Sequence, residues 1–118
     1  MGYGTPVPAE QEVRLYARLD GIEPFTQWIE GLRDASTRFR IRDRISRIRA
    51  GNFGDFRSVG DGVQELRIPL GAGIRVYFGR QNDSTVILLC GGDKSTQVRD
   101  IRRAQLYWQD FRSRSHEA

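Results

Sequence analysis

Three apolar runs set off by turn-forming residues dominate the second half of the chain. Val63 to Ile68, Ile74 to Phe78 and Thr85 to Cys90 read as strands. In the first, Leu66 and Ile68 share one face while Glu65 and Arg67 share the other. In the second, Ile74, Val76 and Phe78 point inward and Arg75 and Tyr77 point out. The third run is apolar on both faces, as a central, covered strand requires. Gly71-Ala72-Gly73 turns the first run into the second, and Gln81-Asn82-Asp83-Ser84 turns the second into the third.

The first half is more helical. Val13, Leu15 and Ala17 alternate with Arg14, Tyr16 and Arg18, which predicts an opening strand broken at Asp20-Gly21. Pro24 then starts a short helix carrying Phe25, Trp28, Ile29 and Leu32. A second helix is predicted over Ser36 to Ala50, with Gly51 as its stop. Ile41, Ile45 and Ile48 form its apolar stripe. Arg38, Arg42 and Arg49 flank the stripe on one side, and Arg40, Arg44 and Arg47 on the other. These rows suit either an anionic partner or a merely solvated helix face. Asn52 to Arg57 reads as a loop. After Lys94, the residues Val98, Ile101, Ala104, Trp108 and Phe111 mark the inner face of a C-terminal helix. The order is β-α-α-β-β-β-α, an α+β chain in one domain spanning 1–118, with a loose lead-in over 1–10 and a frayed tail over 112–118.

Charge narrows the partners. The chain of 118 residues has a net charge of +4 and a pI of about 9.8, which favours an anionic partner: nucleic acid first, an acidic protein second. Lys94 is the only lysine beside eighteen arginines. Guanidinium forks bind phosphate bidentately and stack on bases, although a GC-rich genome produces the same bias. No apolar run approaches the ~20 residues of a membrane span, and no apolar secretion signal opens the chain, so the expected compartment is the cytoplasm. A single cysteine excludes an internal disulfide framework. Cys90, at the end of an apolar run, reads as a core residue rather than a nucleophile.

The candidate chemistry gathers at two places. The first is Leu89 to Gln97, where an apolar strand ends in Gly91-Gly92, then Asp93 and Lys94, just before a helix. Glycines, one cation and a helix N-terminus can set several donors around a phosphate. The second is the hairpin, whose turn would bring Arg67 close to Tyr77, with Arg75 and Glu65 on the same face and Lys94 near one end. Such a concave, cationic face suits an RNA backbone. It also fits a plain exposed sheet face laced with cross-strand pairs.

RNA cleavage without metal requires deprotonation of the 2′-hydroxyl, stabilisation of the phosphorane charge and protonation of the leaving 5′-oxygen. Arg67 and Arg75 suit the second task and Lys94 the third. Tyr77 could stack on a base or position the 2′-hydroxyl. Glu65 is the nominee for the base, although an arginine partner would depress its pKa and blunt it. His116 lies in the tail, away from this group. Arg38, Arg42, Arg49 and Arg57 are the candidate RNA-binding residues. Asp93-Lys94-Ser95-Thr96 is not a P-loop end, since Asp93 and Ile87 stand where that motif needs glycines. One cysteine and one histidine leave no cluster for a zinc site, and no cofactor is expected.

Several segments together resemble a family. Gly91-Gly92-Asp93-Lys94-Ser95-Thr96-Gln97, followed by Asp100-Ile101 and Ala104, is similar to the end of the small "addiction module killer" toxins. These are phage-derived, HigB-like members of the RelE/ParE toxin superfamily. Gly51-Asn52-Phe53-Gly54-Asp55, Val59-Gly60-Asp61-Gly62-Val63, Glu65-Leu66-Arg67-Ile68 and Gly73-Ile74-Arg75-Val76-Tyr77-Phe78 fit in the same order, from about Val13 to Trp108. The resemblance implies a RelE-like fold, a twisted, mainly antiparallel sheet packed against helices. It implies a type II toxin that cleaves mRNA on the ribosome, or a ParE-like toxin that inhibits DNA gyrase. The implied partner is a cognate helix-turn-helix antitoxin. A catalytically inert binding domain is the third reading. Arg75 matches the family's hairpin arginine and Lys94 its basic residue after the last strand. Val63, Glu65 and Asp100 stand where ribonuclease members carry a basic pair and a tyrosine.

Overall fold

The computed structural model describes residues 9–115. Its strands are β1 (Glu12–Leu15), β2 (Phe56–Ser58), β3 (Val63–Ile68), β4 (Ile74–Asn82) and β5 (Thr85–Gly92). Its helices are α1 (Pro24–Glu30), α2 (Ala35–Arg49) and α3 (Gln97–Ser115), the last preceded by a single 3-10 turn over Lys94–Thr96. The sheet runs β1-β5-β4-β3-β2. β1 lies parallel to β5 and every other pair is antiparallel. The molecule is therefore α+β, with a mixed, mainly antiparallel sheet.

The order departs from the expected one by a strand. Phe56–Ser58, read from sequence as the end of a loop, pairs with Leu66 to Gln64 along the free edge of β3. All three residues are exposed, so the segment carries no apolar alternation that would mark it in advance. β1 is also shorter than predicted. Leu15, expected inward, is 40% exposed, whereas Tyr16, expected outward, is buried at 3%. Tyr16 turns under α3, where its hydroxyl donates to Asp110 (2.5 Å) and its ring stacks on Tyr107.

Both faces of the sheet are covered, and this determines what the hairpin can do. On one face Phe25 and Ile29 of α1 and Ile41, Ile45 and Ile48 of α2 pack on Leu66, Ile68, Ile74, Val76, Phe78, Val86 and Leu88. On the other, Ala104 and Trp108 of α3 close over Tyr16, Val63, Tyr77, Ile87, Leu89 and Cys90. β5 sits between β1 and β4 and is buried along its whole length, as its apolar run predicts. Burying each large aliphatic side chain contributes about 1.5–3 kcal/mol, an upper figure against a fully extended chain.

Local signals mostly fix the ends. Asp34 caps α2 by accepting from Ser36 N. Gly51 follows the helix at φ 92°, a left-handed conformation that glycine adopts without strain. Among the described residues no helix is long and apolar enough to cross a membrane. The expected fraying from Arg112 does not occur within them. α3 continues to Ser115, held by Arg114 Nη2 donating to Asp110 (2.8 Å). His116, the rest of the tail and most of the lead-in lie outside the described residues.

Candidate functional site

Gly91 and Gly92 are buried strand residues and form no loop. A Cβ on Gly91 would lie 2.6 Å from Cδ2 of the Trp28 indole; one on Gly92 would lie 2.8 Å from Cγ of Asp100 and 2.9 Å from Thr96 Oγ1. Glycine is needed there because helices press on both faces of β5. Asp93 caps the following turn, accepting from Ser95 N (2.8 Å) and Ser95 Oγ (2.6 Å). The Ser95 hydroxyl is the chief cause of its carboxyl lying below the usual range. Thr96 Oγ1 donates to the buried carboxylate of Asp100 (2.5 Å). Most of the glycine-rich signature is thus structural. Lys94 is the exception: its side chain is exposed and makes no hydrogen bond or ion pair among the described residues.

The hairpin register pairs Glu65 with Tyr77 and Arg67 with Arg75. Tyr77 is therefore a diagonal neighbour of Arg67. All four side chains share the α3 side of the sheet, as alternation predicts, but this face is not open. Tyr77 and Glu65 have no exposed surface. Tyr77 fits poorly as a base-stacking residue, since α3 lies where a nucleobase would have to go. Its hydroxyl donates to Glu65 Oε2 (3.1 Å), and burial and then the Glu65 charge push its pKa above the ordinary value.

Glu65 is the hub of the cluster. Its Oε1 accepts from Arg57 Nε (3.1 Å) and Arg67 Nε (3.2 Å). Its Oε2 accepts from Tyr77 and from Gln97 Nε2 (2.9 Å). Burial pushes its pKa upward, but the bonds from Gln97, Arg57, Arg67 and Tyr77 outweigh it and leave the carboxyl below the usual range. A carboxylate with both oxygens occupied is a poor proton acceptor. The assignment of Glu65 as general base is therefore not supported by its geometry.

The cations come together better than the acid–base groups. Arg57 stands on β2, Arg67 on β3, Arg75 on β4 and Lys94 just past β5. Adjacent strands are about 4.8 Å apart, so four of them span roughly 15 Å. Arg75 is 9% exposed, and its Nη1 donates to Gly73 O (2.6 Å). Its Nε is buried with no partner among the described residues. Gly73, at φ 82°, brings the turn close to this guanidinium and to Lys94, whose Cβ would be 3.5 Å from any Cβ at Gly73. Glu65, buried, and Asp93, half-buried, are anionic neighbours of this row, and the buried Asp100 lies against Gly92 at its β5 end. Such an arrangement can bind and neutralise phosphate oxygens.

The proposed RNA-binding set divides. Arg57 joins the Glu65 cluster, whereas Arg38, Arg42 and Arg49 belong to α2 on the opposite face of the sheet. Arg38 donates to the Leu32 carbonyl. Arg42 and Arg49 rim a groove of about 700 Å³ between α1, α2 and β1. Two site residues escaped sequence reading. Gln97 reaches Glu65, and Asp100 ties the turn to α3. The true inner face of α3 contains Gln97, Asp100, Ile101, Ala104 and Trp108, while Val98, expected there, is 82% exposed. A search confined to apolar periodicity passes over inward-facing amide and carboxylate groups. Cys90 is buried as expected, and burial pushes its thiol up to about 12.

No family model matches the chain. An uncharacterized protein of Haemophilus influenzae is 51% identical over 87 residues, which cover 74% of this chain and 88% of that protein. The chain belongs to the same protein family as that Haemophilus influenzae protein.

Proposed function

We propose that this chain is the toxin of a type II toxin–antitoxin system, with a RelE-like fold, acting as a metal-independent, ribosome-dependent endoribonuclease on mRNA. The observation that carries the reading is the cationic row Arg57–Arg67–Arg75–Lys94 across four neighbouring strands at the hairpin end of the sheet. The HigB-like signature supports it independently. Arg67 would hold the scissile phosphate, and Arg75, largely buried with Nη1 on the Gly73 carbonyl, would add its charge from beneath to stabilise the charge that develops on the phosphate oxygens. Lys94, exposed beside Arg75, would protonate the leaving 5′-oxygen. Tyr77 and Glu65 shape this surface from beneath. A cognate helix-turn-helix antitoxin would silence the chain in the cytoplasm.

The saturated Glu65 favours a second reading. Glu65 is saturated and Asp93 is engaged by the Ser95 amide and hydroxyl, so neither carboxylate beside the row is poised as a base, and a ParE-like gyrase inhibitor or an inert RNA-binding domain needs none. Induced expression of wild type and Arg75→Ala without antitoxin, with 5′-end mapping of cellular mRNA, separates the three. Codon-phased new ends in wild type that vanish in the variant support the ribonuclease. Growth arrest with gyrase-dependent DNA breaks and intact mRNA would replace it with the second reading. No arrest from well-expressed protein would leave the binding domain.

A further inference from the structure

Glu65 gathers two arginines through the same kind of contact. Arg57 and Arg67 each donate Nε to Oε1 of Glu65, at 3.1 and 3.2 Å. Among the described residues their Nη groups donate to nothing. The two side chains remain 52% and 41% exposed, while Glu65 itself is sealed. Each guanidinium is thus tethered by its Nε edge, leaving its outer fork available. Left alone, two like charges on neighbouring strands would repel and sample many rotamers. The carboxylate between them offsets the repulsion and restricts both side chains.

We propose that Arg57, Glu65 and Arg67 form a preorganised clamp for one phosphodiester group of an RNA strand, with Glu65 as a positioning residue that never contacts the ligand. The inference rests on the reading of the hairpin end as an RNA-binding surface, and adds Arg57, aligned through Glu65, to Arg67 at the phosphate that Arg67 holds. Two forks converging on one phosphate can offer several charge-assisted hydrogen bonds with little ordering left to do. Glu65 is itself fixed from below by Tyr77 and Gln97, so the clamp is keyed to the docking of α3.

The clamp and simple electrostatic attraction predict opposite signs for one substitution. Glu65→Gln removes a negative charge, so attraction alone would strengthen RNA binding. Positioning requires that it weaken binding, by about 5- to 10-fold, because both tethers lose their charge assistance. Arg57→Lys and Arg67→Lys keep the charge but lose the fork, and should weaken binding by a similar factor. The measurement is binding of a short single-stranded RNA to wild type and these variants at several salt concentrations. The Arg57 and Arg67 Nε–H resonances of the folded wild type are followed by NMR in parallel, as are titrations with inorganic phosphate.

Weaker binding by Glu65→Gln and both lysine variants, with shifts of both Nε–H signals, is the expected result. The wild-type NMR arm stands even if Glu65→Gln fails to fold. Tighter binding by Glu65→Gln, or unmoved Nε–H signals while RNA binds, would overturn the clamp and leave the RNA reading intact. If phosphate shifts both signals and RNA does not bind, the clamp survives as an anion site and the RNA reading fails.

Discussion

Alanine at Gly91 or Gly92 tests whether these glycines serve packing or loop flexibility. A methyl group on Gly91 would press into the Trp28 indole, and one on Gly92 into the Asp100 carboxylate. Overpacking a tight interior costs about 1–3 kcal/mol. Restricting the unfolded chain gives back about 0.4–1 kcal/mol. Gly91→Ala should therefore lose roughly 1–2 kcal/mol net, because the half-buried indole can partly yield. Gly92→Ala carries a further cost. Moving Asp100 breaks its bond from Thr96 and those from Arg99, and a buried polar group left unpaired costs about 1–3 kcal/mol more. The expected total is roughly 2–5 kcal/mol, a large share of the ~5–15 kcal/mol that holds a typical domain.

Urea unfolding measures this directly. With a slope of about 2 kcal/mol/M, within the usual range of about 1–3, the midpoint should move by roughly 0.5–1 M for Gly91→Ala and roughly 1–2.5 M for Gly92→Ala. Gly92→Ala should fall further than Gly91→Ala. In a Trp28→Ala background the Gly91→Ala penalty should largely disappear, since the obstructing ring is gone. Midpoints unchanged in both variants, with loss of RNA binding instead, would refute the packing argument and restore the glycines as a flexible phosphate loop.

Two further outcomes follow from buried ionisable groups. Glu65 has a folded pKa below its ordinary 4.5. Its contribution to stability is therefore complete above the unfolded value and is lost as pH falls through the folded one. Urea midpoints should fall more steeply below about pH 4.5 in wild type than in Glu65→Gln; parallel curves would show that Glu65 gains nothing from its four donors. Cys90, with its thiol raised to about 12, should resist a thiol reagent at pH 8 in the folded protein and react fully in denaturant. Rapid native labelling would contradict its burial.

The sheet was legible in the sequence because strand periodicity is written in side chains that the fold must bury. Val63–Ile68 and the turn at Gly71–Gly73 follow from alternation and from glycine's conformational range. β2 was not legible, because Phe56–Ser58 is held by backbone pairing to β3 and all three of its side chains remain exposed. The candidate site was half legible for a related reason. Alternation puts Glu65, Arg67, Arg75 and Tyr77 on one face, but it does not say what covers that face. The covering helix docks through Ala104 and Trp108, with Gln97 and Asp100 turned inward as polar contacts. Apolar spacing therefore placed Val98 inward and missed Gln97. As a result Tyr77 and Glu65, expected at the surface, are interior groups.

On the proposed reading, the interior position of Glu65 accounts for a carboxylate standing where the ribonucleases that the chain resembles carry a basic residue. A carboxylate in the middle of a basic surface is unfavourable for RNA if it is exposed, and costly for folding if it is buried alone. Here it is buried with four donors, so it presents no negative charge to solvent and leaves none of its own oxygens unsatisfied. Its remaining effect on the surface is to fix the direction of two arginines. Val63, like Glu65, is sealed beneath α3, so these two β3 positions present no basic pair to solvent. Instead, this chain draws cations from β2 and β3 and aligns them through a shared anion. The two guanidinium groups reach solvent while Glu65 does not, and their geometry depends on α3 through Gln97. On the proposed reading, proton abstraction would come from a group other than Glu65, on the ribosome or on the RNA. If the ribosome supplies it, the purified chain should cleave mRNA only when ribosomes are added, and cleavage of free mRNA would exclude that source.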